Sequence, residues 1–290
     1  MNRRDVMMGA LALTACATVP AVPPPFPSDR FSVVVRGQGP DVILLPGLSC
    51  PRDVWDGLAA ALAPSHRLHL VQLTGFGEAT APPEGALFEP AAQELLRYIA
   101  EQGLSRPAVI GHSMGGTLAL RIAAAAPEAI GRAMVVDSLP FFSVLINPTA
   151  TPETIAPQAD ALAEQMRGMD DAAFLGLQQR TMPTLVKGEQ NQALAVAWSV
   201  ASHRPAVAQM MREVMTTDLR PQLPAIQVPV TVLYAWDPSM PYPAAGADFV
   251  YTLNYAGLQG VRLIRVDEAL HFIMLDQPAR FEAEVRAFLS

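Results

Sequence analysis

Cysteine, basic charge and metal-ligand clusters are all scarce in this chain of 290 residues. Two cysteines give no disulfide framework. The net charge is −7 and no basic stripe is present, so we do not expect nucleic acid as a partner. The chain has no phosphate-binding loop of the Walker type, and its five histidines lack metal-ligand spacing. We therefore expect no metal and no cofactor.

What the chain has in quantity is apolar side chains. Hydrophobic residues make up 51% of the sequence and charged residues 16%, which is typical of a globular protein rather than a disordered one. The length is sufficient for a sizeable core, and α/β folds often reach it without dividing into separate domains.

The first residues have the pattern of an export signal. Arg3 and Arg4 precede a short apolar run at residues 6–12, which is too short to span a bilayer. Residues 13–16 (Leu-Thr-Ala-Cys) resemble a bacterial lipobox, in which the cysteine becomes lipidated after cleavage. We expect residues 1–15 to be a signal peptide and Cys16 to attach the protein to a membrane. The protein would then be periplasmic or a membrane-anchored lipoprotein. Two alternatives stay open: cleavage elsewhere, or a cytoplasmic enzyme with an unprocessed leader.

Residues 16–30 are rich in proline and predict an extended stalk, with a disordered tail as the alternative. If Cys16 is lipidated, Cys50 has no disulfide partner. We expect Cys50 to be a small apolar filler rather than a nucleophile.

Strand and helix patterns alternate along most of the remaining chain. Short apolar runs predict strands at residues 31–36, 41–45, 67–73, 108–110, 132–137, 230–235 and 261–266. Helical patterns lie between them, which predicts an α/β fold with a mostly parallel, doubly wound sheet. The alternation breaks at residues 140–225, which contain only helical patterns. We expect a core formed by residues 31–139 and 226–290, with an α-helical cap at 140–225.

Residues 111–115, Gly-His-Ser-Met-Gly, match the G-x-S-x-G pattern of a nucleophile elbow. A predicted strand precedes them and a predicted helix comes next, which is the context that this motif requires. The interpretation predicts Ser113 as a nucleophile held on a strained turn. His112 is expected to have a packing or hydrogen-bonding role.

A serine hydroxyl needs a base and an orienting carboxylate. Asp237 follows a predicted strand, and His271 is the only histidine after it. Both are expected at the carboxyl edge of the sheet, where Ser113 also lies. Asp137, after the preceding strand, is the alternative acid.

These motifs resemble those of the α/β-hydrolase superfamily over residues 31–290, in the branch with a helical cap between the family's sixth and seventh strands. The resemblance rests on Gly-His-Ser-Met-Gly-Gly at 111–116 and on the segment from His271 to Pro278. It implies Ser113 as nucleophile, His271 as general base and Asp237 as the acid.

The resemblance also implies an oxyanion hole formed by the backbone N–H groups of Leu48 and Met114. Pro46 stands where family members usually have histidine, which puts the geometry of the first donor in question. Phe76, Trp198 and His203 are candidates for the substrate pocket, although packing is the commoner role for such residues.

The function that this pattern favours is hydrolysis of a carboxylic ester or lactone through an acyl-enzyme. The expected substrate is small and apolar, an inference that comes from family analogy. Two alternatives use the same triad: a C–C bond hydrolase or aminopeptidase, and a perhydrolase or acyltransferase. A non-catalytic ligand-binding protein is the alternative of another class.

Overall fold

The computed structural model describes residues 26–78 and 80–290. The predicted signal peptide, Cys16 and most of the predicted stalk lie outside these ranges, so they stay predictions. Within the described ranges, no helix has both the length and the apolar character needed to cross a membrane.

In the described part of the chain, seven strands form one sheet, in the order β1-β3-β2-β4-β5-β6-β7. Only β1 runs antiparallel to its neighbour, and the other pairs are parallel. This arrangement confirms the predicted fold class. The strands are β1 (Phe31–Arg36), β2 (Asp41–Leu45), β3 (Arg67–Leu73), β4 (Ala108–His112), β5 (Arg132–Val136), β6 (Val230–Trp236) and β7 (Arg262–Asp267).

The burial of each strand reflects its place in the sheet. The central strands β2, β4 and β5 are buried almost throughout, because helices cover both of their faces. The edge strand β1 alternates between buried or half-buried and exposed positions, as expected where one face meets water.

Helices cover both faces of the sheet and form the cap. A 3₁₀ turn at Arg52–Trp55 leads into the first helix. The core helices are α1 (Asp56–Leu62), α2 (Phe88–Glu101), α3 (Met114–Ala125), α8 (Ala244–Asn254), α9 (Ile273–Asp276) and α10 (Pro278–Leu289). The cap helices are α4 (Pro152–Gly168), α5 (Asp171–Thr181), α6 (Glu189–Ala201) and α7 (Arg204–Thr216).

The cap helices all lie between β5 and β6 in the chain. The start of α4 is fixed by a capping box between Thr151 and Thr154, and Asp170 caps α5 through the backbone N–H of Ala173. Helices α4 and α7 pack against each other and contribute to the apolar core that also contains α2 and α3. Helix α6 packs instead on the core that contains α1 and α10.

The loops at the carboxyl ends of the central strands are joined by backbone hydrogen bonds. The N–H of Ser113, after β4, donates to Val136 O at 2.9 Å. The N–H of Asp137, after β5, donates to Leu233 O at 2.7 Å. These bonds continue the sheet pairing beyond the strand ends and hold Ser113 and Asp137 at fixed positions on one edge.

Candidate active site

Ser113 occupies the sharp turn between β4 and α3. Its φ is 53° and its ψ is −122°, a conformation that costs energy for any residue with a side chain. The first turn of α3 secures this conformation, because the N–H groups of Gly116 and Thr117 both donate to Ser113 O at 2.8 and 3.1 Å. The half-buried serine side chain therefore projects from the carboxyl edge of the sheet.

The three glycines around Ser113 are required by close backbone contacts. A Cβ atom at Gly111 would overlap the carbonyl oxygen of Gly115, and one at Gly115 would overlap the carbonyl oxygens of Leu45 and Pro46. At Gly116 a Cβ would lie 2.9 Å from Val135 Cγ1. The turn can form only when strand, helix and the loop after β2 approach this closely.

His271 lies in the loop between β7 and α9, and its Nδ1 is 2.7 Å from Asp137 Oδ2. The carboxylate of Asp137 accepts two further hydrogen bonds at Oδ1, from Ala235 N–H at 2.8 Å and from the Tyr251 hydroxyl at 3.0 Å. Three hydrogen-bond partners, His271, Ala235 and Tyr251, thus surround this carboxylate and fix its orientation. The backbone of Asp137 has a φ of 48°, in the left-handed region that non-glycine residues seldom adopt.

The structure corrects the expected contact: His271 pairs with Asp137, the alternative acid, and not with Asp237. Which carboxylate serves in catalysis stays a prediction. Asp237 Oδ2 lies 2.5 Å from the ammonium group of Lys187 in the cap. Its Oδ1 accepts from the backbone and hydroxyl of Ser239, at 2.9 and 2.5 Å. The pKa of Asp237 is lowered to about 2, mainly by the hydrogen bond from Lys187 and to a smaller extent by those from Ser239.

The bond to Asp137 fixes the tautomer of His271. A carboxylate only accepts, so Nδ1 carries the proton and Nε2 is left with a free lone pair. Among the described residues, no hydrogen bond joins Ser113 Oγ to His271. Such contacts are often long in free enzymes and tighten when substrate binds.

Two backbone N–H groups next to Ser113 have no hydrogen-bond acceptor in the described part of the chain: Leu48, in the loop after β2, and Met114, the first residue of α3. Gly47, the residue before Leu48, lies very close to the elbow: a Cβ atom at Gly47 would be 3.3 Å from Ser113 Cβ. The loop and the helix N-terminus can thus present two donors to one negatively charged oxygen.

Pro46, which departs from the family's usual histidine, is buried and sits directly against the elbow. Its carbonyl is one of the atoms that a side chain at Gly115 would strike. The turn after Pro46 is closed by a 3.3 Å bond from Cys50 N–H to Gly47 O, with Ser49 at a φ of 60°.

His112 braces the histidine loop from below. Its Nε2–H donates to His271 O at 3.0 Å, and the two imidazole centroids are 4.6 Å apart. Its Nδ1 is buried and has no hydrogen-bond partner among the residues that the structure describes. Burial, reinforced by the neighbouring His271, lowers the pKa of His112 well below its usual value. The neutral ring therefore has the hydrogen-bonding role that the sequence predicted.

The three pocket candidates lie at different places. Phe76 is buried in the core, and Trp198 on α6 is half-buried against the core that contains α1 and α10. His203 joins α6 to α7, and its backbone N–H donates to Gly75 O at 2.8 Å. Their contact with substrate stays a prediction.

Cys50 is buried, and desolvation raises the pKa of its thiol to about 12, so it is protonated and unreactive at neutral pH. In the described ranges, no group of three histidine, cysteine, aspartate or glutamate side chains is arranged to hold a metal ion.

Lys187 and Tyr251 are the contributors that sequence reasoning missed. Tyr251 lies on α8, and Lys187 precedes α6 in the cap, so both are distant in sequence from the acids that they contact. One signal was available for Lys187, because it is the only lysine in the chain.

Comparison with known proteins agrees with this fold. The model of the alpha/beta hydrolase family matches residues 42–284, which span most of the chain. The chain therefore belongs to the alpha/beta hydrolase family, and the predicted class of enzyme is confirmed.

Several curated relatives are named pimeloyl-[acyl-carrier protein] methyl ester esterase. The one from Nitrosomonas europaea is 29% identical over 256 residues, covering 86% of this chain and 95% of its own. The one from Vibrio vulnificus is 30% identical over 204 residues, covering 69% and 76%.

Solved structures show the same fold at lower identity. A hydrolase from Pseudomonas aeruginosa superposes with a TM-score of 0.75 at 21% identity, covering 90% of this chain and 94% of the other. The enol-lactonase from Burkholderia xenovorans superposes with a TM-score of 0.72 at 21% identity, covering 89% and 96%.

Proposed function

We propose that this protein is a carboxylesterase that uses Ser113, His271 and Asp137 as a catalytic triad. The observation that carries the proposal is the 2.7 Å bond between His271 Nδ1 and Asp137 Oδ2. That bond leaves Nε2 free to accept a proton at the edge of the sheet where the elbow presents Ser113. A half-buried imidazole with an orienting carboxylate is the base that a serine nucleophile requires.

In the proposed reaction His271 Nε2 takes the proton from Ser113 as Oγ attacks the ester carbonyl carbon. The resulting oxyanion accepts hydrogen bonds from the N–H groups of Leu48 and Met114. His271 then returns the proton to the departing alcohol, leaving an acyl-serine. A water molecule, deprotonated by the same nitrogen, releases the carboxylic acid and restores the serine.

For the substrate we propose a carboxylic ester of a small alcohol. The support is the similarity to esterases that are named for a methyl ester. The two alignments cover 86% of this chain and 95% and 93% of the relatives. A lactone is the second candidate, and the superposition on an enol-lactonase supports only the shared fold. The two substrates differ after the acylation step, because the alcohol of a lactone stays attached to the acyl group.

The test compares the wild type with Ser113→Ala on esters of increasing chain length, on lactones, on an aminoacyl amide and on a diketone. We expect turnover of short p-nitrophenyl esters and methyl esters, and a loss of about 10⁶-fold in kcat in Ser113→Ala, as in a serine protease. Trapping of the acyl-enzyme by mass spectrometry at low pH would place the acyl group on Ser113.

Each alternative has its own outcome in this panel. Faster turnover of the amide or diketone than of any ester would replace the esterase proposal with an aminopeptidase or a C–C hydrolase. Preferential transfer to peroxide or to an added alcohol would indicate a perhydrolase or acyltransferase. Saturable binding without turnover of any substrate would leave only the ligand-binding interpretation.

A further inference from the structure

Helix α6 of the cap is attached at both ends to loops of the α/β core. At its C-terminal end, Ser202 Oγ accepts from Gly77 N–H at 2.8 Å, and His203 N–H donates to Gly75 O at 2.8 Å. At its N-terminal end, the preceding residues contact the loop that carries His271. The helix has 13 residues and is thus about 20 Å long, so it bridges the loop after β3 and the loop after β7.

Lys187, two residues before α6, makes most of the N-terminal attachment. Its ammonium group donates to Asp237 Oδ2 at 2.5 Å and to Glu268 O at 2.9 Å. Its backbone N–H donates to Asp276 Oδ1 at 2.9 Å. One residue of the cap therefore contacts the loop after β6, the start of the histidine loop and the end of α9.

Two further hydrogen bonds in this region fix the backbone on both sides of His271. Leu270 N–H donates to the other oxygen of Asp276 at 2.8 Å, and Phe272 N–H donates to Leu185 O in the cap at 3.1 Å. The position of the imidazole thus depends on how the cap packs on the core, through Lys187 and through Leu185, two residues before it.

The charge at this contact is unusual for the chain. The sequence contains a single lysine and 19 arginines, and the lysine faces Asp237. The carboxylate of Asp237 is buried, with 8% of its side chain exposed, whereas 43% of the Lys187 side chain is exposed. A carboxylate this buried needs its cation, because an unpaired buried charge is strongly unfavourable.

We propose that Lys187 is a positioning residue that clamps α6 to the histidine loop and thereby sets the orientation of His271 toward Ser113. The proposal rests on the proposed esterase function. Asp237, which lies after a strand end just as Asp137 does, serves the clamp rather than the triad. Loss of the clamp charge is expected to slow acylation, while a small ester still binds with the same affinity.

The single lysine makes a direct chemical test available. Acetylation removes the charge of Lys187, whereas reductive dimethylation keeps it. We expect acetylation to lower kcat for p-nitrophenyl acetate about tenfold, because small displacements of a catalytic group are costly. KM should change by less than about twofold, since the clamp does not contact a small ester. Dimethylated enzyme should keep its kcat.

Two variants control for other effects of the reagents. Lys187→Arg keeps the cation without an acetylatable amine, so its kcat should resist acetylation. Any kcat that this variant does lose measures reaction of the reagent at the chain's α-amino group or at Ser113, and it is subtracted from the loss in the wild type. Arg212→Met removes an exposed cation that pairs with Asp160 inside the cap and does not touch the histidine loop. The Arg212→Met variant should keep its kcat, and the backbone amides of the histidine loop should stay as well protected from hydrogen exchange as in the wild type.

Hydrogen exchange gives a readout that does not need a substrate. Peptides covering residues 268–272 should exchange faster in Lys187→Met and in acetylated wild type than in Arg212→Met. Unchanged kcat in active enzyme acetylated at Lys187 would overturn the proposal, as would unchanged exchange of these peptides. A wild type without esterase activity would contradict the proposed function instead, because the exchange measurement still reports on the clamp.

Discussion

Asp137 and Asp237 stand in equivalent places, each directly after a strand of the parallel sheet. Asp137 comes after β5, next to the strand that leads to Ser113, and its carboxylate meets His271. Asp237 comes after β6, one strand further away, and its carboxylate meets the cap through Lys187. Two acids at the same sheet edge thus have different partners, and a position at a strand end does not by itself assign a role.

The partners around each carboxylate explain the difference. Asp137 is surrounded by neutral donors of the core, Tyr251 and the Ala235 backbone, which leave its second oxygen for the imidazole. Asp237 faces a full positive charge, and Ser239 donates to its other oxygen. Neutral donors orient Asp137 for an imidazole, whereas the lysine directs Asp237 toward the cap.

Among the effects that separate the two acids, the largest is expected when each one is exchanged for its amide. Asp137→Asn should lower kcat by about 10⁴-fold, because an amide at this place no longer holds His271 in the productive tautomer. Asp237→Asn should lower kcat by only about tenfold, since it disturbs the clamp alone. Steady-state kinetics on one short ester measures both, and the reverse ranking would return the acid to Asp237.

The second effect concerns the hydroxyl that supports Asp137. Tyr251→Phe removes a hydrogen bond to a carboxylate oxygen, worth about 1.5–3 kcal/mol, so kcat should fall by about ten- to a hundredfold. Tyr255→Phe is the matched control, because that hydroxyl donates to Ser138 O at 2.7 Å and does not touch the carboxylate. Equal kcat values in the two variants would show that Tyr251 does not support the acid.

The smallest effect is on stability in acid. The pKa of Asp237 is about 2 in the folded protein, and about 3.9 is usual in unfolded chains. Between these values the unfolded chain binds more protons, so the contribution of Asp237 to stability is present above about pH 4 and is lost as the pH falls toward about 2. Urea unfolding at about pH 5, 4 and 3 measures the free energy of unfolding. The difference in this free energy between wild type and Asp237→Asn should become smaller as the pH falls. A difference independent of pH would contradict the ion pair.

Much of the fold can be read from sequence patterns. Apolar runs predicted all seven strands to within two residues at each end, because buried parallel strands need continuous apolar side chains. The elbow was equally readable, since Gly111, Gly115 and Gly116 are required by backbone contacts that only glycine permits. In both cases the determining interactions are local in sequence.

The carboxylate that pairs with His271 was not readable in the same way. Choosing between Asp137 and Asp237 depends on Tyr251 and Lys187, which approach from 114 residues and 50 residues away. A sequence pattern can place both carboxylates at the sheet edge, but it does not show which one has a cation opposite it. The packing of the cap on the core, which brings Lys187 to Asp237, could not be predicted from the sequence either, because it is a tertiary contact.

The assignment of Asp137 to the triad is tested most directly by proton NMR of the His271 Nδ1 hydrogen, which needs no substrate. A proton held between an imidazole and a carboxylate resonates far downfield and exchanges slowly. We expect this signal in the wild type and in Asp237→Asn, and we expect it to disappear in Asp137→Asn. A signal that survives in Asp137→Asn and is lost in Asp237→Asn would contradict the assignment.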